Sequence, residues 1–135
     1  MKFKFTFILF MLIGQFFSLT AREVTSFNEG WLFKRGPFSE NPMKVSAQWN
    51  GKWDAVNLPH TWNAKDMQVK AASFYEGVGY YKKKQFFGEE LKGKRIFLRF
   101  EGVGANTEVY VNGKLVGTHK GGYSAFAFEI GTALN

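Results

Sequence analysis

The chain has 135 residues and a formal net charge of +7. This length fits one domain of ordinary size and leaves no room for a second. The chain contains no cysteine, which excludes disulfides and thiolate metal sites, so its stability depends on packing. Aromatic residues make up 19% of the chain, and they can serve as core residues or as platforms on which sugars stack.

The N-terminal segment has the features of an export signal. A short basic stretch precedes an apolar run over residues 5–17, and Ala21 is a small residue suited to signal peptidase. The alternative is a membrane anchor, which needs about 18 apolar residues or more, and Gln15 interrupts this shorter run. We therefore expect residues 1–21 to be a cleaved signal peptide and residues 22–135 to form a periplasmic or extracellular domain that does not bind a membrane after cleavage.

The mature sequence predicts strands rather than helices, because its apolar residues alternate with period two. We predict strands over residues 31–35, 54–58, 80–87, 94–101, 108–111, 114–117 and 125–130. The clearest feature is the hairpin turn at Asn112-Gly113, because a type I′ turn needs positive φ at both central positions. Short strands separated by turns favour an all-β, antiparallel β-sandwich. These strands are fewer than the about eight of a jelly roll, so we expect the domain to be incomplete at its C-terminal end.

Few residues in the sequence suggest catalysis. A zinc site needs three or four ligands, and the two histidines are distant from each other, so neither a metal nor a cofactor is expected. Glycoside hydrolysis needs two facing carboxylates, and the only adjacent acidic pair, Glu89-Glu90, falls in a predicted turn exposed to solvent. A Ser/His/Asp triad stays open because geometry defines it. We assign no catalytic residue.

The lysine run Lys82-Lys83-Lys84 lies between two pairs of aromatic residues. Basic and aromatic residues together can bind nucleic acid. The other interpretation is an edge or outer strand whose lysines discourage pairing with another sheet. The export signal favours the second interpretation, and we expect no nucleic-acid partner.

The long irregular segment over residues 60–76 is the candidate binding loop. Loops above about 12 residues in compact domains are usually functional, although this one could simply cross between two sheets. Aromatic rings can pack on the apolar face of a pyranose, while polar side chains bind its hydroxyl groups. The candidate substrate-rim residues are His60, Trp62, Asp66, Tyr75 and Glu76. For any single aromatic residue, packing in the core is the competing explanation.

Several runs follow one another in an order that resembles the N-terminal domain of glycoside hydrolase family 2, of β-galactosidase type. These runs are FNEGW at 27–31, LPHTWN at 58–63, YEGVGYYKK at 75–83, FEGV at 100–103, EVYVNG at 108–113 and HKGGYSAF at 119–126. The resemblance covers nearly all of the mature chain. It implies a galactose-binding-like jelly roll.

The resemblance also implies a function. In that family the jelly roll precedes an immunoglobulin-like domain and a TIM barrel, and the barrel carries the two catalytic glutamates. The chain would then be a carbohydrate-binding domain or fragment of a secreted retaining β-glycosidase. It would contribute to hydrolysis of O-glycosyl bonds only when joined to that barrel, and its implied partners are these two domains and a carbohydrate, namely a β-galactoside or related glycan. The alternatives are a stand-alone carbohydrate-binding module and a structural docking domain.

Overall fold

The structure is a computed structural model that describes residues 22–36, 52–63 and 75–134. These residues form seven β-strands and two single-turn 3₁₀ helices, at Glu89–Leu91 and Gly131–Ala133, and contain no α-helix. The strands are β1 (Trp31–Gly36), β2 (Asp54–Val56), β3 (Val78–Lys82), β4 (Phe97–Phe100), β5 (Asn106–Val111), β6 (Lys114–Lys120) and β7 (Phe126–Glu129). All the strand pairs are antiparallel. The predicted all-β, antiparallel fold class is confirmed.

The first sheet has the strand order β2-β1-β3. Phe33 on the central strand pairs with Asp54 on β2 and with Tyr81 on β3. Successive side chains of a strand point to opposite faces, so Phe33, Arg35, Tyr81 and Gly79 share one face. Phe33 is only 5% exposed, which places the packed centre of this sheet on that face.

The segment after β2 is fixed to the segment before β1. The backbone N–H of Leu58 donates to the carbonyl of Asn28 over 2.8 Å, and the N–H of Gly30 donates to the Asn57 side-chain oxygen over 3.0 Å. The Leu58-Pro59 peptide bond is cis. His60 follows directly, so these contacts determine where the predicted binding loop begins.

Strands β5 and β6 form the predicted hairpin. Asn112 has φ of 46° and Gly113 has φ of 84°, as a type I′ turn requires. The pairing register shifts between Val109 and Tyr110. The Asn112 side-chain amide donates to the Ala133 carbonyl over 2.9 Å, which ties the turn to the C-terminal 3₁₀ helix.

Strand β7 packs face to face on β6. The ring of Phe128 lies against Gly117, and the ring of Phe126 stacks on His119 with 4.0 Å between ring centroids. On β4 the predicted period-two alternation is confirmed, because Leu98 and Phe100 are half-buried while Arg99 is exposed. The two-stranded sheets β4-β7 and β5-β6 therefore form the two facing layers of a sandwich.

Four strands are shorter than predicted, among them β7, which was predicted over 125–130, while β1, β5 and β6 extend beyond their predicted bounds. The strand predicted over 54–58 ends at Val56, and the one predicted over 94–101 begins at Phe97 and ends at Phe100. The strand predicted over 80–87 covers Val78–Lys82, because its pairing with β1 begins at Gly36 and ends at Leu32. Residues 83–88 have no regular structure, so this part of the prediction is wrong.

Candidate functional site

An aromatic cluster lies on the Phe33 face of the first sheet. Its members are Phe33, His60, Trp62, Tyr75 and Tyr81. Two of them belong to strands β1 and β3, two follow β2, and one precedes β3. The pairing of β1 with β3 thus brings together residues that are distant in sequence.

His60 is held by a hydrogen bond and by ring packing. Its Nδ1 atom lies 2.8 Å from the Tyr81 hydroxyl, and its ring centroid lies 4.7 Å from that of Phe33. Burial raises the pKa of the Tyr81 phenol above its ordinary value of 10.0, because desolvation disfavours the phenolate. The phenol thus keeps its proton at neutral pH, so this pair can hydrogen-bond a polar ligand.

Trp62 packs over a position that has no side chain. A Cβ atom placed on Gly79 would overlap the six-membered ring of the Trp62 indole, so glycine permits this close approach. The indole also lies 6.3 Å from the Phe33 ring, and 6.3 Å from the Tyr75 ring at an interplanar angle of 85°. The side chain is half-buried, with part of it reaching solvent.

Tyr75 connects the ends of β1 and β3. Its hydroxyl lies within hydrogen-bond distance of the Gly36 carbonyl, at 2.6 Å, and of the Val78 carbonyl, at 3.1 Å. The Arg35 guanidinium lies over its ring, 5.0 Å from the centroid, and also donates to the main-chain carbonyl of Trp62. Tyr75 therefore holds the cluster against the strand ends.

The structure brings together three of the five predicted rim residues. His60, Trp62 and Tyr75 belong to the aromatic cluster, while Glu76 is exposed beside it. Asp66 lies outside the described residues. Arg35 was not predicted from the sequence, because its role depends on contacts across the sheet. The alternation of side chains along β1, which places Arg35 on the same face as Phe33, could have indicated it.

The lysine run contacts aromatic rings one by one. The Nζ atom of Lys82 lies 3.7 Å from the centroid of the Trp53 ring. The corresponding distances are 4.2 Å from Lys83 to Phe27 and 5.2 Å from Lys84 to Phe86. These are cation–π distances.

Lys82 departs from the prediction of outer, strand-protecting lysines. It is only 9% exposed, and burial, with a smaller contribution from the nearby charge of Lys34, lowers its pKa below 10.5. β3 is an edge strand among the strands described in the first sheet. Lys82 is nevertheless buried. Side-chain alternation places it on the face of the sheet opposite Tyr81, where it packs against Trp53.

The second histidine lies in the sandwich formed by the other two sheets. His119 Nε2 lies 3.2 Å from the Ser124 hydroxyl, and its ring stacks on Phe126. Within the described part of the chain, no carboxylate hydrogen-bonds this ring to complete a triad.

The described residues contain no group of three or more His, Cys, Asp or Glu side chains that could hold a metal ion. They also contain no helix that is long and apolar enough to cross a membrane.

Comparison with known sequences identifies relatives among bacterial glycosidases. A β-glucuronidase of Bacteroides fragilis is 38% identical over 122 residues, which are 90% of this chain and 16% of the relative. A β-galactosidase of Thermoanaerobacter pseudethanolicus is 36% identical over 109 residues, covering 81% of this chain and 14% of the relative. The chain thus spans about a sixth of the length of these relatives or less.

Solved structures show the same relationship. A Bacteroides fragilis protein provisionally assigned as a β-galactosidase matches with 70% identity and a TM-score of 0.72, covering 84% of this chain and 17% of that protein. The β-glucuronidase of Bacteroides uniformis matches with 35% identity and a TM-score of 0.70, covering 82% of this chain and 13% of that enzyme.

A family model described as the sugar-binding domain of glycosyl hydrolases family 2 matches residues 15–135. This match covers most of the chain and agrees with the antiparallel sandwich and with the relatives above. The chain belongs to the family of sugar-binding domains of glycosyl hydrolases family 2.

Proposed function

We propose that this chain is the sugar-binding N-terminal domain, or part of it, of an exported retaining β-glycosidase, and that it adopts the galactose-binding-like jelly roll of that family. The observation that carries the proposal is the family match over residues 15–135 in a chain that spans only 13–17% of the relatives compared above. The catalytic glutamates would lie in the TIM barrel, beyond an immunoglobulin-like domain.

The aromatic cluster is the part of this domain that we place at the substrate rim. Trp62 is half-buried, so the indole is held by the sheet and can still offer apolar surface to a sugar ring. The imidazole of His60 and the phenol of Tyr81 provide polar atoms 2.8 Å apart. Glu76 is exposed next to Tyr75 and can accept hydrogen bonds from sugar hydroxyls.

The cluster binds in this proposal and does not catalyse. Retaining glycosidases use two carboxyl groups about 5–5.5 Å apart. The aromatic cluster contains none, and adjacent Glu76 is a single carboxylate. The chain would therefore affect substrate affinity, while bond cleavage would depend on the rest of the enzyme.

A β-galactoside is the first candidate substrate, since a protein provisionally assigned as a β-galactosidase is 70% identical. A β-glucuronide is the second, since relatives at 38% and 35% identity are β-glucuronidases. The two substrates differ in the configuration at C4 and in the C6 group, which is a carboxylate only in the glucuronide, so a direct comparison of the two glycosides separates them.

A chimeric enzyme tests the proposal. The segment of the Bacteroides fragilis protein that matches this chain would be replaced by the chain, and hydrolysis of p-nitrophenyl β-D-galactopyranoside and p-nitrophenyl β-D-glucuronide would be measured. We expect hydrolysis of the galactoside. Trp62→Leu should raise KM about tenfold with little change in kcat, because loss of an aromatic contact of about 1–1.5 kcal/mol weakens binding by that factor.

Trp53→Leu is the matched control, because Trp53 lies beside Lys82 on the other face of the sheet. It should leave KM unchanged. A folded chimera that hydrolyses neither glycoside, or equal KM values for the two leucine variants, would contradict the proposal.

A further inference from the structure

We infer that Arg35 is a positioning residue that holds the Trp62 indole in its binding orientation; the inference rests on the proposed function of the aromatic cluster. Arg35 lies on β1, two residues after Phe33 and on the same face. It contacts both of the segments that carry the aromatic rim residues Trp62 and Tyr75.

The Arg35 guanidinium makes two different contacts at once. It donates a hydrogen bond to the main-chain carbonyl of Trp62, and it lies over the Tyr75 ring at 5.0 Å from the centroid. Tyr75 in turn meets the Trp62 indole edge to face. Arg35 thus fixes the backbone of Trp62 directly and its side chain through Tyr75.

The chemistry of arginine suits this double role. A guanidinium is planar and carries five N–H donors, so it can stack on a ring with its face while an N–H donates in its plane. A lysine ammonium is a compact point charge and has no plane to stack. We therefore expect lysine to replace Arg35 only in part.

Gly79 explains why the Trp62 segment needs such an anchor. The indole rests where glycine provides no side chain, so its position depends on the neighbouring rings of Phe33 and Tyr75 and on the backbone of its own segment. If the Trp62 carbonyl loses its donor, the ring can shift across the sheet surface without loss of the strand pairing. The effect should then fall on sugar affinity more than on folding.

The test uses the full chain labelled with 5-fluorotryptophan and ¹⁹F NMR, with the Trp62 resonance assigned from Trp62→Phe. In Arg35→Met we expect the Trp62 resonance to move and broaden while the other three indole resonances keep their positions. Arg35→Lys should give an intermediate position. Arg99→Met is the matched control, because Arg99 lies on β4 with Glu101 2.9 Å away, and it should leave the Trp62 resonance in place.

Sugar affinity is measured on the same samples by titration with methyl β-D-galactopyranoside and methyl β-D-glucuronide. Loss of one exposed hydrogen bond to a charged donor should weaken binding about fivefold in Arg35→Met. An unmoved Trp62 resonance in Arg35→Met, or a wild-type spectrum and affinity in Arg35→Lys, would overturn the inference. If the wild-type chain binds neither glycoside, the proposed function fails in the isolated chain, while the fluorine shift still decides the role of Arg35.

Discussion

The shape of the aromatic cluster depends on single residues, both on a glycine that has no side chain and on rings that form specific contacts. Gly79 pairs with Arg35 across the sheet, and the indole of Trp62 occupies the volume that a side chain at Gly79 would fill. The hydrogen bond of His60 to Tyr81 then holds the imidazole beside Phe33. The shape of the aromatic cluster therefore depends on one missing Cβ as much as on its aromatic rings.

Gly79→Ala should destabilise the domain, because the new methyl group would overlap the Trp62 ring and force it away. Overpacking of this kind costs about 1–3 kcal/mol. The free energy of unfolding from urea titration measures the effect. Gly104→Ala is the control, since no atom lies within 4 Å of a Cβ built there; equal stability of the two variants would show that Trp62 does not pack on Gly79.

Stability should also depend on the ion pair between Arg95 and Glu129. Two hydrogen bonds of 2.9 and 3.1 Å join the groups. The hydrogen bond from Arg95 is the main cause that holds the pKa of the Glu129 carboxyl below its ordinary value of 4.5. Because the folded-state pKa is lowered, the pair contributes stability above pH 4.5, and this contribution is lost as the pH falls through the folded-state pKa.

The expected result is that wild type loses more stability than Glu129→Gln between pH 7 and pH 3, since glutamine carries no titrating group. Urea midpoints at the two pH values measure the difference, and an NMR titration of the Glu129 carboxyl carbon gives its pKa directly. A carboxyl that titrates at or above 4.5 would show that Arg95 does not stabilise the charged form.

Among the elements, the hairpin of β5 and β6 has the most local origin. Its turn residues, Asn112 and Gly113, both have positive φ, a conformation that costs other residues about 1–2 kcal/mol. Val111 pairs with Lys114 directly across the turn. The turn thereby sets the register of the adjacent pairs, up to the shift between Val109 and Tyr110.

Gly113→Ala should lower the free energy of unfolding by about 1 kcal/mol or more, because alanine disfavours the left-handed conformation. Asn112→Gly keeps the turn geometry and removes only the hydrogen bond to Ala133. Thermal melts of both variants measure the effects. If Gly113→Ala unfolded at the same temperature as the wild type, this result would contradict a left-handed backbone conformation at position 113.

The sequence predicted local features better than pairing between distant strands. The alternation of Leu98 and Phe100 with Arg99 and the turn at Asn112-Gly113 follow from neighbouring residues, and the structure confirms them. The end of β3 at Lys82 was not predicted, because it depends on where the pairing with β1 ends, at Leu32, and the residues that follow are still compatible with a strand.

In the candidate site, too, local features were predicted and contacts between distant strands were not. The sequence predicted His60, Trp62 and Tyr75 as rim residues from their types and from the long segment that contains them, and the structure brings these three side chains together. It could not predict that Arg35 and Gly79 complete their surroundings, because these contacts arise only when β1 pairs with β3. Contacts across a sheet depend on the pairing register, and β1 and β3 are too distant in sequence for a turn between them to fix it.

At the scale of the whole molecule, the described residues divide into a sheet that carries the aromatic cluster and a sandwich of two smaller sheets. The buried apolar residues in these parts are Phe33 in the first sheet and Val109, Ile130 and Ala133 in or next to the sandwich. Large apolar side chains such as Phe86, 79% exposed, lie on the surface. In the proposed enzyme the barrel would supply the chemistry and this domain the substrate rim.

Export is the part of the proposal that concerns the N-terminal segment. Expression of the full chain in a bacterial host with a periplasm should yield a mature protein that begins at Arg22, because Ala21 is the small residue expected at the cleavage site. N-terminal sequencing of the periplasmic fraction tests this. Cytoplasmic protein that keeps Met1 and the apolar run would contradict the proposed signal peptide.

The most direct test of the central claim is a two-dimensional ¹H–¹⁵N NMR titration of the chain with methyl β-D-galactopyranoside and, separately, methyl β-D-glucuronide. If the aromatic cluster contacts sugar, one glycoside should shift the amide and indole resonances of His60, Trp62, Tyr75 and Tyr81, and the outer face of β4 around Phe97 should stay unchanged. Shifts centred on Phe97, or no shift with either glycoside at saturating concentration, would contradict a sugar-binding rim on β1 and β3.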